Sequence, residues 1–204
     1  LTVTTILERS HKYFPAVEIV SRMPDRTIHR SNYGQIYRRA RALAESLLRA
    51  GMKRGDRVAT LMWNHAAHME TYCGVPAAGG VAHTLNLRLH ADDLAYIVNH
   101  AEDRFLIVDD VLLPLYEKFK DRVKIERVLV VPLEDKPLPA GYESYEDFLM
   151  QASGEFAYPA LDENEAAAMC YTSGTTGKPK GVVYSHRALV LHSFGVALAD
   201  CFGM

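Results

Sequence analysis

The sequence predicts an α/β fold in which helices flank a mainly parallel β-sheet. Three short apolar runs typical of buried strands occur at residues 57–63, 104–108 and 127–131. Segments with helical spacing separate these runs, and this alternation is typical of parallel sheets. The chain has 204 residues, of which 49% are apolar, so it can bury a substantial core.

The first predicted helix follows Ser31, a common helix-capping residue, and ends at Gly51. Its apolar positions recur at helical spacing: Ile36, Ala40, Leu43, Ala44 and Leu47. Four arginines lie mainly off this stripe: Arg38, Arg39, Arg41 and Arg49. They could bind phosphate, but a solvated helix face explains them more simply.

The second unit consists of the strand at 57–63 and a helix that begins near Asn64. His65 and His68 stand three residues apart, with Glu70 and Cys73 nearby, which raises the question of a metal site. No further pair of ligands completes a zinc spacing, so packing and capping are the favoured interpretation.

The third unit begins with a helix near Asp92 and Asp93 and continues into the strand at 104–108. Asp110 is expected to cap a further helix that extends to about Lys120, before the strand at 127–131. Residues 131–143 contain three prolines and a glycine, which predicts a surface connection, and a short helix is expected at 145–150.

Composition limits the classes of partner. A net charge of -2 and a pI near 6.5 give no general attraction to nucleic acid or to an anionic membrane. The three cysteines have no metal or disulfide spacing, and no apolar stretch is long enough to span a bilayer. These features predict reduced thiols and a cytoplasmic location.

One loop, YTSGTTGKPKG at residues 171–181, combines three glycines, four Ser or Thr side chains and two lysines. No Asp or Glu occurs between Glu165 and Asp200. Glycines let backbone N–H groups approach an anion, while hydroxyl groups and ammonium groups add donors and positive charge. A hydrophilic hairpin has a similar composition, but the loop joins two apolar runs and lacks a carboxylate, which favours a polyphosphate site.

The loop differs from two common nucleotide-binding motifs. Gly174 and Gly177 are too close for a Walker A motif, and Pro179 follows Lys178 where that motif has Ser or Thr. No G-x-G-x-x-G pattern of dinucleotide-binding proteins occurs in the chain. The run after the loop, GVVYSH, predicts a strand, with Ser185 capping the helix that follows. A P-loop NTPase or kinase is therefore a weak alternative.

The segment YTSGTTGKPKGVVYSH resembles the signature loop of the adenylate-forming superfamily, which includes acyl-CoA synthetases, luciferases and peptide-synthetase adenylation domains. The segment NLRLHADDLAYIVNHAEDRFLIVD, at residues 86–109, is similar to the acyl-CoA synthetase branch. VYSHRALVLHS and LPLYEKF most resemble fatty acid:CoA ligases of the medium- to long-chain type.

The resemblance implies that a carboxylic acid reacts with Mg-ATP to form an acyl-adenylate, which coenzyme A then converts to a thioester. It implies that the loop binds the β- and γ-phosphates through Thr172, Ser173, Gly174, Thr175, Thr176, Gly177, Lys178 and Lys180. By the same resemblance, the Thr172 hydroxyl is the candidate Mg²⁺ contact. No catalytic residue is assigned within the chain.

The resemblance also implies that residues 1–204 are the incomplete N-terminal large domain, and that the adenine, ribose and catalytic-lysine motifs follow. The expected parts are an α/β portion at about 27–131, a connection at 132–164, and the phosphate loop with its flanking strands and helix at 165–204. These residues alone are expected to be inactive. Activation of an aryl or amino acid, and a non-catalytic nucleotide-binding fragment, stay open as alternatives, and a homodimer is possible.

Overall fold

The computed structural model describes residues 1–134, 136–172 and 177–202, and it confirms the predicted α/β class. A two-stranded antiparallel hairpin lies beside a seven-stranded sheet. The strands are β1 (Glu18–Arg22), β2 (Ile28–Asn32), β3 (Arg57–Leu61), β4 (Val81–Thr84), β5 (Asp103–Asp109), β6 (Arg127–Val131), β7 (Glu143–Ser144), β8 (Ala166–Thr172) and β9 (Lys180–Ser185). All neighbouring pairs in the large sheet are parallel except β8 and β9.

Helices cover both faces of the large sheet. They are α1 (Val3–Tyr13), α2 (Tyr33–Arg49), α3 (Ala66–Ala77), α4 (Ala91–Ala101), α5 (Leu113–Tyr116), α6 (Tyr145–Met150) and α7 (His186–Ala197). None of the helices within the described ranges has the length and apolar character needed to cross a bilayer.

The strand order of the large sheet is β7-β6-β5-β3-β4-β8-β9. The chain moves from β3 to β4 on one side, then crosses back to β5 on the other side of β3. In open α/β sheets, ligands bind beyond the carboxyl ends of the strands. β8 is parallel to β4, so its carboxyl end lies with the carboxyl ends of the central strands. The loop at residues 171–181 begins at this end of β8.

The sheet separates two apolar layers because successive strand residues point to opposite faces. Phe105 and Ile107 of β5 pack on the side of α2, α3 and α6, whereas Leu106 and Val108 pack on the side of α4 and α5. All four side chains are buried. Such two-sided burial explains why this strand is a continuous apolar run in the sequence.

The expected cap of the first long helix is wrong. The first long helix, α2, is capped by Asn32 instead of Ser31: the Asn32 carboxamide accepts from the Gln35 N–H at 2.9 Å, and the Gln35 side chain accepts from the Asn32 N–H. This reciprocal pair is a capping box. Ser31 belongs to β2, which was not among the predicted elements, and neither were α1, β1, β4 and β7.

The helix expected from Asp110 to Lys120 is shorter than predicted. A 3₁₀ turn at Asp110–Leu112 leads into α5, which ends at Tyr116. The Asp110 carboxylate also accepts from the backbone N–H groups of Leu133 and Glu134, at 3.0 and 2.9 Å. Asp110 thus ties this turn to the chain segment that follows β6.

The crossing of α2 and α3 depends on Gly74. A Cβ atom at this position would lie 2.6 Å from the Ala40 carbonyl oxygen, and backbone atoms cannot yield as a flexible side chain can. We therefore expect Gly74→Ala to lower the free energy of unfolding by about 1–3 kcal/mol, as overpacked cores do. Urea denaturation of the two proteins measures the difference.

The matched control is Gly195→Ala. Gly195 is also helical, in α7, but outside its own stretch of helix no described atom lies within 4 Å of its would-be Cβ. Because alanine is the better helix former, this substitution should leave stability unchanged or raise it slightly. Equal effects of the two substitutions would contradict the close approach at Gly74.

Candidate functional site: the phosphate loop

The phosphate loop, residues 171–181, joins two strands, as the sequence predicts, and the structure shows that these strands are antiparallel. Thr172, the last residue of β8, is the Cα partner of Lys180, the first residue of β9. Ser185 caps the following helix, α7, and accepts from the Ala188 N–H at 3.2 Å. Of the predicted phosphate contacts, Ser173, Gly174, Thr175 and Thr176 lie outside the described residues.

The four predicted contacts that are described lie at the base and on the return side of the loop, and all are exposed: Thr172, Gly177, Lys178 and Lys180. Gly177 has a φ of 155°, which side-chain-bearing residues rarely adopt. Within residues 1–134, 136–172 and 177–202, no carboxylate lies within ion-pair distance of either lysine. Their positive charge is therefore available to an anion.

Tyr171 and Gly181 form the base of the loop. They are paired across β8 and β9, and the Tyr171 ring lies over Gly181, where an added Cβ would be only 3.0 Å from the ring. Burial raises the pKa of the Tyr171 hydroxyl, which therefore keeps its proton. The hydroxyl is hydrogen-bonded to His100 Nδ1 of α4 at 2.6 Å. This contact fixes the loop base to the helical layer.

A cavity of about 410 Å³ lies elsewhere, between the β1–β2 hairpin and α2, α3 and α6. Its charged groups already satisfy one another. Arg39 donates to Glu70 at 2.7 Å and to both oxygens of Glu146 at 2.8 and 2.6 Å. Tyr145 donates to the other Glu70 oxygen at 2.9 Å. None of the described phosphate-loop residues lines this cavity, and the pairing indicates a structural cluster.

The histidines near the start of α3 contact protein groups. His65 Nε2 is 2.9 Å from the buried Asp109 carboxylate. His68 is hydrogen-bonded to Thr60 and to the Trp63 carbonyl, each at 3.1 Å. Burial lowers the pKa of His68, which favours the neutral ring.

The match to a protein-family model decides the family. The model described as "AMP-binding enzyme" matches residues 7–204, which is nearly the whole chain. The chain belongs to this family.

Two relatives with named activities align with nearly all of this chain. A long-chain-fatty-acid–CoA ligase of Thermus thermophilus is 47% identical over 98% of the chain, and a 3-methylmercaptopropionyl-CoA ligase of Ruegeria lacuscaerulensis is 40% identical over 100% of it. The chain spans only 36% and 38% of the lengths of these two relatives.

A solved structure has the same fold. The anthranilate CoA ligase AuaEII, crystallised with anthranoyl-AMP, superposes with a TM-score of 0.84 at 24% identity. The match covers 96% of this chain and 37% of that protein. The likeness shows that this chain has the same α/β architecture as the corresponding part of that protein.

Proposed function

We propose that the whole protein uses ATP to activate a carboxylic acid, a medium- or long-chain fatty acid, to an acyl-adenylate and then to an acyl-CoA thioester. The observation that carries the proposal is the phosphate loop at the carboxyl end of β8, where Lys178 and Lys180 have no carboxylate partner among the described residues. The relatives named as CoA ligases support it.

The chain's own residues would hold the triphosphate end of ATP. In the first step, the substrate carboxylate attacks the α-phosphorus and the bond to the β,γ-pyrophosphate breaks. Negative charge grows on the leaving pyrophosphate, where fixed donors and cations stabilise the transition state. Lys180, the first residue of β9, would supply such a cation. Lys178 and the N–H group of Gly177 would bind the same phosphates.

The donor set suits Mg²⁺ bound to phosphate. Mg²⁺ prefers oxygen ligands and usually binds through few protein groups together with substrate phosphates and water. The exposed Thr172 hydroxyl, opposite Lys180, offers one such oxygen. When bound, the ion would neutralise phosphate charge. The assignment of Thr172, and of Ser173, Gly174, Thr175 and Thr176 as phosphate contacts, stays a prediction.

The proposed substrate class rests on the two relatives, which are named for different acids. One relative is named for long-chain fatty acids and the other for 3-methylmercaptopropionate. Activation of an aryl or amino acid is the second candidate, and a non-catalytic nucleotide-binding role the third. The cytoplasmic location, the possible homodimer, the absence of nucleic acid binding and the division of the chain at 131 and 165 stay predictions.

The test is acid-dependent release of pyrophosphate from ATP by the whole protein, followed by thioester formation when coenzyme A is added. We expect release with dodecanoate or hexadecanoate and little with benzoate or an amino acid. Release with benzoate alone would keep ATP-dependent acid activation and overturn the fatty-acid assignment. No release with any acid would overturn the activity itself.

Residues 1–204 alone should be inactive. They span 36% and 38% of the lengths of the two relatives and are expected to hold only the triphosphate end of ATP. Positioning of both reactants can supply about 7–11 kcal/mol of the barrier.

A further inference from the structure

Helix α4 contacts both sides of the phosphate loop through one of its faces. Tyr96 and His100 are four residues apart, so their side chains are neighbours on this face, with ring centroids 5.4 Å apart. His100 binds the Tyr171 hydroxyl on the incoming side of the loop. Tyr96 lies under the returning side, where the Lys178 ammonium is 4.8 Å from the centre of its ring.

The Tyr96 ring holds an ammonium group without neutralising it. An aromatic face attracts a cation through its quadrupole, whereas a carboxylate would form an ion pair and compete directly with phosphate. In the described part of the chain, the Tyr96 hydroxyl makes no hydrogen bond, so the contact with Lys178 depends on the ring face. The ring therefore leaves the full charge of Lys178 available.

The position of the Lys178 ammonium affects phosphate binding because a lysine side chain is long and flexible. Fixing its rotatable bonds costs entropy, and a side chain that is already held loses less when it binds a ligand. Lys178 also precedes Pro179, which restricts the backbone conformation of Lys178 itself. The backbone and the Tyr96 ring thus limit the side chain from both ends.

We propose that Tyr96 is a positioning residue, which holds the Lys178 ammonium at the phosphate loop before a nucleotide triphosphate binds. The inference rests on the proposed function, because it assumes that the loop binds the phosphates of ATP. His100 has the companion role of fixing Tyr171 at the base. Helix α4 therefore supports the loop at two points, through His100 at Tyr171 and through Tyr96 at Lys178.

The experiment is a double-mutant cycle on the whole protein, with Mg-ATP binding measured by calorimetry. Tyr96→Leu should raise the dissociation constant about 2- to 5-fold, the factor that corresponds to an exposed cation–π contact. Tyr96→Phe keeps the ring face and should retain wild-type affinity. In a Lys178→Met background, Tyr96→Leu should have no further effect on affinity.

The cycle separates positioning from general damage to the fold. If Tyr96→Leu weakens Mg-ATP binding equally with and without Lys178, the ring acts only through packing and the inference is overturned. It is also overturned if Lys178→Met leaves affinity unchanged while the wild type binds Mg-ATP, a result that spares the proposed function. Failure of the wild type to bind Mg-ATP would overturn both.

Discussion

Lys180→Ala should slow formation of the acyl-adenylate by roughly 30- to 1,000-fold. The corresponding loss is about 2–4 kcal/mol of transition-state stabilisation, as for other fixed groups that stabilise developing charge. Lys180 is the first residue of β9 and is paired with Thr172. The sheet thus fixes the backbone from which the ammonium extends, and no described carboxylate within ion-pair distance competes for it.

The measurement is acid-dependent ATP–pyrophosphate exchange by the whole protein, which isolates the first chemical step. Lys178→Ala should have a smaller effect, because Lys178 lies outside the strand and is held by a single aromatic contact. Lys118→Ala removes an exposed lysine outside the loop and should leave exchange unchanged. Wild-type exchange in Lys180→Ala would contradict the role of Lys180 at the leaving group.

The central strands could be predicted because burial on both faces gives each a distinct apolar run. β6 has the predicted bounds of Arg127 and Val131, and β5 extends the predicted run by one residue at each end. The position of the loop between β8 and β9 could be predicted because glycines and hydroxyl-bearing residues contiguous in sequence separate two apolar runs, whereas its phosphate contacts stay a prediction. Neither prediction required knowledge of which segments meet in three dimensions.

The hairpin formed by β1 and β2 could not be predicted in the same way. Most residues of both strands are exposed, so no apolar alternation indicates them. A tertiary contact anchors the hairpin instead: Ser21 is buried and its hydroxyl accepts from the Ala66 N–H at the start of α3, at 3.0 Å. The contact joins residues 45 positions apart, and no local pattern records it.

Arg39 shows the same limit at a single side chain. Its position off the apolar stripe of α2 indicated a solvated helix face, and that interpretation is wrong. Its guanidinium binds Glu70 of α3 and both carboxylate oxygens of Glu146 of α6. The partners are 31 and 107 residues away, so they come together only in the folded chain.

The pairing matters most for Glu70, which is only 2% exposed. Burial raises the pKa of the Glu70 carboxyl, and the hydrogen bond from Arg39 opposes that rise. Tyr145, which is fully buried, donates the second hydrogen bond to the carboxylate. Without the guanidinium, the ionised form of Glu70 would be a buried charge with one neutral donor.

Arg39→Met should therefore lower the free energy of unfolding by about 3 kcal/mol at pH 7.5, since an unpaired buried charge is costly. This is the lower end of the usual range, because the Arg39 side chain is 35% exposed and water can replace part of it. Urea denaturation measures the loss. Arg38→Met, at an exposed neighbouring position of α2, should change stability by less than about 0.5 kcal/mol.

The pH dependence identifies the group responsible for that loss. In Arg39→Met the folded-state pKa of Glu70 should rise further above its unfolded value, so protonation stabilises the folded variant. The stability that this proton provides is present below the unfolded pKa and is lost as pH rises through the folded pKa. The deficit in the free energy of unfolding of Arg39→Met relative to wild type should accordingly shrink as the pH falls from 7.5 to 5.

Glu70→Gln in the Arg39→Met background removes the buried charge and should recover most of the lost free energy of unfolding at pH 7.5. A deficit that is independent of pH and persists with Glu70→Gln would show that Arg39 stabilises the fold through packing alone.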